Sequence, residues 1–325
     1  MDEQRKRTAV SSFVRGRSRR RRWSPPSLRP APPTAAASFA DLPFDVLARL
    51  AAPFDVPTLW AASTVCQSWR EALRPLREAM VLLRVGKGYK RGRGPGIGRP
   101  NPHRAIEYFL KGVDRGSAPA MVDAGLMYWE MGKKEEAEAL YRRAAELGYP
   151  AGQCNLGVCY LEADQPKSEE AVKWFYRAAE SGYASAQYNL ALCLHKGRGV
   201  KNDLANAAKW YLRAAQGGNV RAMYNTSLCY STGEGLVQNI GHARVWMKRA
   251  AKGGHSKAQF QHGLELYSSG DMMEALVYLE LATRAGVADA VGIRNRVLQS
   301  LCQASRDRVM LRVERWQPLR LHPVH

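Results

Sequence analysis

The sequence has no run of 18 apolar residues, so no ordinary membrane-spanning helix is expected. Its amino terminus lacks the short apolar core of a secretory signal, and the chain reads as soluble and intracellular. Cysteine is sparse: Cys66, Cys154, Cys159, Cys193, Cys229 and Cys302 form no C-x-x-C and have no histidine at zinc spacing. Each falls at an apolar position of a helical pattern, so all six read as small buried hydrophobes in a reducing compartment. The seven histidines form no H-x-x-x-H; His255 and His262 could share a helix face, but they make no recognisable metal site. There is no G-x-S-x-G. The glycine-rich stretch from Gly86 to Gly94 matches neither G-x-x-x-x-G-K-[ST] nor G-x-G-x-x-G, and it reads as a solvated, enlarged turn. No catalytic residue, no metal and no cofactor are expected. The chain does not read as an enzyme.

Acidic residues are also few, 29 against 49 basic ones, for a formal charge of +20. The imbalance is localised. Residues 1–37 carry ten basic and two acidic residues, residues 84–104 seven and none, and residues 290–325 seven and two. The remaining stretches are nearly neutral, so the basicity is assigned to the tails and one linker. That argues against a nucleic-acid face built into a folded domain, and contact with nucleic acid is not the expected role.

What the sequence does have is a repeat, which decides the architecture. Segments beginning at Ala105, Ala137, Ala171, Ala207, Ala243 and Ala275 each place two large residues at +3/+4 and small ones near +7/+8. Each then reaches a glycine: Gly116, Gly148, Gly182, Gly218, Gly254 or Gly286. This spacing puts the apolar residues on one face of a helix, and the glycine supplies a left-handed cap that ends it. A second helix opens four residues later at Ala120, Gly152, Ala186, Ala222 and Ala258. Its inner face follows at +4/+5 and +8. One such pair buries too little apolar surface to stand alone, so the units must stack. The predicted fold is all-α, a helix-turn-helix solenoid over residues 105–290. Trp174, Trp210 and Trp246 share one slot in it, and periodic core packing accounts for them better than a ligand-stacking ladder.

The pattern, with its Lys196-Gly-Arg-Gly-Val200 and Thr232-Gly-Glu-Gly-Leu236 turns, resembles the Sel1-like repeats, relatives of tetratricopeptide repeats. By that resemblance the repeats are a protein-docking scaffold without chemistry of their own.

Residues 38–75 form a separate amphipathic stretch, too short to hold a useful core alone. By its residues it is either a module that buries its apolar face in a partner or an amino-terminal cap of the repeats. Leu42-Pro43, Val46-Leu47-x-x-Leu50, a turn reaching Leu59, and Val65-Cys66-x-x-Trp69 closely resemble the F-box. The resemblance implies that Leu42 and Pro43 begin the surface that docks on the SKP-type adaptor of cullin ubiquitin ligases. Val46, Leu47, Leu50, Phe54, Leu59, Val65 and Trp69 would supply its core and contact face. A helix from Trp69 through Leu83 is expected to run on toward the first repeat. An F-box followed by these repeats, with Trp316-Gln-Pro-Leu near the end, is similar to a family of plant F-box proteins.

The expected organisation is therefore a disordered basic tail at 1–37, an F-box at 38–75, and a helix extension with a Gly/Arg-rich loop at 76–104. The solenoid follows at 105–290, and a capping helix with a basic tail at 291–325. Arg15, Arg17 and Arg19 to Arg22 (Arg20 and Arg21 between them) are of nuclear-import type, which points to nucleus and/or cytoplasm. The function expected from the resemblance is that of a substrate-recognition subunit, with the adaptor, a cullin through it, and a target protein as partners. An assembly scaffold or chaperone-like adaptor outside any ligase is the alternative.

Overall fold

The repeat spacing produces alternating helices of nearly constant length. The computed structural model describes residue 46 and residues 56–64, 67–94 and 96–319, all within the unit Phe39–His325. Two short helices lead: α1 (Val56–Ser63) and α2 (Gln67–Ala72). A longer pair follows, α3 (Arg74–Arg91) and α4 (Pro102–Val113). The regular series is α5 (Ala118–Glu130), α6 (Lys134–Glu146), α7 (Pro150–Glu162), α8 (Ser168–Glu180), α9 (Ala184–Lys196), α10 (Leu204–Gln216), α11 (Val220–Thr232), α12 (Ile240–Lys252), α13 (Ser256–Ser268) and α14 (Met272–Arg284). The last two are α15 (Ala288–Ser300) and α16 (Gln303–Glu314). No strand occurs among the described residues. From α3 to α15 each helix packs on the next, and α3, α5, α7 and α9 also touch in succession. From α3 to α9 the odd-numbered helices therefore form the tighter, inner row of an α-solenoid.

The pairs are held together by a large side chain entering a gap in the facing helix. Phe109, Tyr141 and Phe175 of the even helices lie against Gly86, Gly125 and Gly157 of the preceding odd ones. A methyl group built on those glycines would sit 2.5, 2.6 and 2.7 Å from the ring. Leu279 meets Gly263 in the same way at 3.0 Å. In the two units between, Ala191 shares a cluster with Tyr211, and the Ser227 hydroxyl lies 3.8 Å from the Met247 sulfur. Only a small residue permits this approach.

The capping glycines behave as their spacing requires. Gly116, Gly148, Gly182, Gly218, Gly254 and Gly286 all have φ between 74° and 93°, in the left-handed region. The long turns use glycine for a further reason. A side chain on Gly199 or Gly235 would collide with the backbone of Ser168 or Leu204, where the previous even helix begins. Successive pairs are also joined through buried glutamines. Gln153, Gln187 and Gln259 donate to the carbonyls of Ala145, Ala179 and Ala251 at the ends of α6, α8 and α12, each of which also accepts from the capping glycine three residues on.

Several local expectations change. The helix anticipated from Trp69 through Leu83 is two helices parted at Leu73. Pro75 has no N–H to give the Glu71 carbonyl and would crowd it in a continuous helix; in the first turn of α3 it lacks nothing. The glycine-rich stretch read as a turn is helical as far as Arg91, because Gly86 is the gap that receives Phe109. Arg84, Lys87, Lys90 and Arg91 therefore lie on a helix and not in a linker. Cys302, taken for a core residue, is exposed at the start of α16, where the chain is extended at Leu301 and Cys302.

At the carboxyl end the alternation stops. α16 packs mainly on α14, burying Val309 and Val313 in a cluster that also holds Val297 of α15, and Arg312 pairs with Glu274 at 2.6 Å. The chain then crosses to the end of α12. There the Leu319 amide donates to the Lys252 carbonyl at 3.0 Å, and Trp316 and Pro318 cover Gly254.

The seating of aromatic rings on glycine gives a direct test. Gly157→Val should lower the unfolding free energy by about 1–3 kcal/mol through overpacking against Phe175, as read from urea denaturation of the full chain.

Candidate docking surfaces

Of the residues assigned to the adaptor surface, Leu42, Pro43, Leu47, Leu50, Phe54 and Val65 lie outside the described residues, as do Arg15 to Arg22. Val46 is helical and partly buried, Leu59 belongs to α1, and Trp69 belongs to α2. The described part of the segment ends in a joint that sequence reasoning missed. α1 and α2 both pack on α3, with Ser63, Leu73 and Leu76 buried. Arg77 of α3 reaches back across the break. Its guanidinium lies 5.0 Å from the centre of the half-exposed Trp60 ring and donates to the Arg70 carbonyl at 3.0 Å. One side chain thus fastens both short helices to the solenoid. An arginine four residues after a helix break gave no signal of this in the sequence.

A groove of about 510 Å³ runs along α11, α12 and α13. Ile240, Met247 and Leu264 supply its apolar floor. Ser227 and Ser231 edge it, and the Arg244–Glu265 pair at 3.0 Å crosses its rim. A cleft of this kind suits an apolar side chain with polar neighbours.

The tryptophan slot is structural. Trp246 is buried, Trp174 and Trp210 are partly buried in the core, and each is covered by an arginine one turn on. Arg177, Arg213 and Arg249 stand 4.7, 4.7 and 4.9 Å from those rings. Tyr176 meets Trp210 edge-on at 6.2 Å, tying one unit to the next.

The titratable groups describe a packed scaffold. Burial pushes the thiols of Cys154 and Cys159 up to about 12 and that of Cys229 up to about 11, and raises Cys193 as well. These thiols are not nucleophiles at neutral pH. Cys302 differs. The Ser305 hydroxyl and backbone amides of α16 stabilise its thiolate and lower its pKa. His255 caps α13 by accepting from the Ala258 amide at 3.3 Å, and burial holds its pKa down. His262 rests against Tyr278 and lies 3.4 Å from Glu265, with its pKa likewise lowered by burial. Among the described residues no three His, Cys, Asp or Glu side chains converge to hold a metal, and no helix is long and apolar enough to cross a membrane.

Comparison with known proteins matches this architecture. The Sel1 repeat family model matches residues 79–117, 118–149, 150–183, 184–219, 220–255 and 256–287, so it counts α3 and α4 as the first unit. F-box protein At1g70590 of Arabidopsis thaliana is 56% identical over 270 residues, covering 83% of this chain and 76% of that protein. The crystal structure of a Sel1 repeat protein from Oxalobacter formigenes has a TM-score of 0.57 at 26% identity, covering 71% of this chain and 98% of that one. A second structure, the Escherichia coli antigen c5321 with an SLR fold, has a TM-score of 0.45 at 20% identity, covering 84% and 71%.

Two measurements follow from this geometry. Arg77→Ala should expose the joint: chymotryptic cleavage near Trp60 should accelerate about fivefold, for a local loss of roughly 1 kcal/mol, while the solenoid's melting temperature stays unchanged. Brief iodoacetamide treatment of native protein should label Cys302 and spare Cys154, Cys159, Cys193 and Cys229, which should react only in denaturant, as read by peptide mass spectrometry.

Proposed function

Because the chain belongs to the Sel1 repeat family and is a plant F-box protein, we propose that it serves as a substrate-recognition subunit of an SKP-cullin-F-box ubiquitin ligase. The observation that carries this reading is the joining, in one chain, of an F-box-like segment with six repeats, matched over most of its length by a relative named an F-box protein.

In this reading Leu42 and Pro43 open the adaptor surface, with Val46, Leu47, Leu50, Phe54, Leu59, Val65 and Trp69 as its core and contact face. The SKP-type adaptor links the chain to a cullin. A face of the solenoid, with the α11–α13 groove as a candidate cleft on it, holds the protein to be ubiquitinated. The chain makes and breaks no bond. It raises the effective concentration of its target beside catalytic machinery carried by other subunits, and that gain depends on geometry. A joint that fixes the short helices to α3 through Arg77 supports such a role, since a floppy connection would spread the target over a larger volume. The arginine run at residues 15–22 supports a nuclear as well as a cytoplasmic location.

The test is capture of a recombinant SKP-type adaptor by the purified full-length chain. Leu42→Ala combined with Pro43→Ala should abolish capture while leaving helicity and melting unchanged. An adaptor still retained by the folded double variant would remove the assigned docking surface. No capture by the native chain would favour a scaffold acting outside a ligase.

A further inference from the structure

The basic residues of α3 are distributed in a way the repeat does not require. Lys87 pairs with Asp123 at 3.1 Å, and Lys90 with Glu130 at 2.9 Å, both on α5. Arg84, Arg91 and Arg93 have exposed side chains with no ion pair, hydrogen bond or aromatic partner among the described residues. These three, with Lys87, surround a groove of about 410 Å³ whose floor is Met80, Leu83 and Gly88. Among the described residues no acidic side chain lines it. The loop after α3 closes one side: the amides of Gly92 and Arg93 both return to the Gly88 carbonyl, which brings Arg93 back toward the helix.

We propose that this groove binds an acidic peptide segment of a protein partner, one that places a large apolar side chain beside two or more carboxylates. Three unpaired guanidinium groups around one cleft match carboxylates in both charge and fork geometry. The floor selects what lies between those carboxylates. Met80 is flexible and half-buried and Leu83 is buried, so an aliphatic side chain entering the cleft loses water without leaving a polar group unpaired. Nucleic acid fits less well. The nearby aromatic rings, Tyr89 and Tyr108, are stacked on each other at 5.4 Å, and each also carries a cation, Arg104 at 5.7 Å and Lys111 at 5.2 Å, so they are already engaged and make a poor platform for a base. The cleft is also a single pocket holding a few side chains, not a track of cations following a phosphate backbone. It lies on the helix that joins α2 to the repeats, so a segment held there sits at the solenoid's amino-terminal end. The proposal shares with the ligase reading only that the partner is a protein. Its readout does not involve the adaptor, so either can fail alone.

The experiment is fluorescence anisotropy on the full-length chain with three probes: a glutamate-rich peptide carrying leucine, the same peptide with glutamine in place of leucine, and oligouridine RNA. The basic amino-terminal residues are common to every variant, so their contribution cancels. Arg84→Gln, Arg91→Gln and Arg93→Gln combined should weaken the leucine-bearing peptide by at least about tenfold at unchanged melting temperature. The glutamine peptide should bind the native chain more weakly than the leucine peptide, and Met80→Gln should shrink that difference. If the triple variant folds poorly, Arg93→Gln alone, in the loop, should still weaken the peptide severalfold. Equal affinity of native and variant chains would overturn the proposal. So would indifference to the leucine, or RNA bound more tightly than peptide and lost with the same arginines.

Discussion

A large side chain from each of the helices α4, α6, α8 and α14 fills a place where the odd-numbered helix before it has glycine, with Ala191 and Ser227 in that place facing α10 and α12, and the geometry of the solenoid depends on that contact. Phe109 on Gly86, Tyr141 on Gly125 and Phe175 on Gly157 bring the two backbones close enough for the alanines around them to be fully buried. Close pairs then stack: the left-handed glycine turns the chain in a few residues, and the glutamines of α7, α9 and α13 add a second donor to carbonyls at the preceding helix ends, tying one pair to the next. The energy is thus spread over many similar contacts between neighbours, and no unit is a domain by itself.

The repetition is also why so much of the fold was legible. Alanine, a large pair, a small pair and a glycine at fixed offsets define a helix face and its end, and each recurrence tests the others. Where glycine carries two meanings, the sequence misled. Gly86 and Gly88 among lysines and arginines look like a flexible turn, yet Gly86 sits in mid-helix because Phe109 needs the space. Only the three-dimensional partner separates the two cases. The break at Leu73 was readable in principle from Pro75, but the apolar period on either side of it is uninterrupted. Cys302 failed for the opposite reason: its period matched a helix face, while the extended backbone at residues 301–302 placed it at a helix start.

The candidate surfaces were less legible, because they rest on pairs distant in sequence. That Arg77 covers Trp60, or that Lys87 and Lys90 are taken up by Asp123 and Glu130 while Arg84 and Arg91 are left over, follows from how helices face one another. Charge counting along the chain found the excess over residues 84–104 but treated it as a property of a linker. On a helix the same residues acquire fixed spacing and a fixed apolar neighbour, and a diffuse charge becomes a shaped cleft.

The two ends of the solenoid differ from its middle, and the difference bears on how it can be used. A stack of identical pairs would present at each end the apolar face that the next unit normally covers, an invitation to join another chain. Here α16 turns back onto α14 with Val309 and Val313, and the segment reaching Leu319 extends the cover to α12. At the other end α1 and α2 lie against α3, pinned by Arg77. Among the described residues both end pairs are thus covered in part by the chain's own helices, and the lateral surfaces, the α11–α13 groove and the basic cleft on α3, carry no such cover. Specificity must then lie in residues the repeat leaves free to vary, because those it fixes are committed to holding the pairs together.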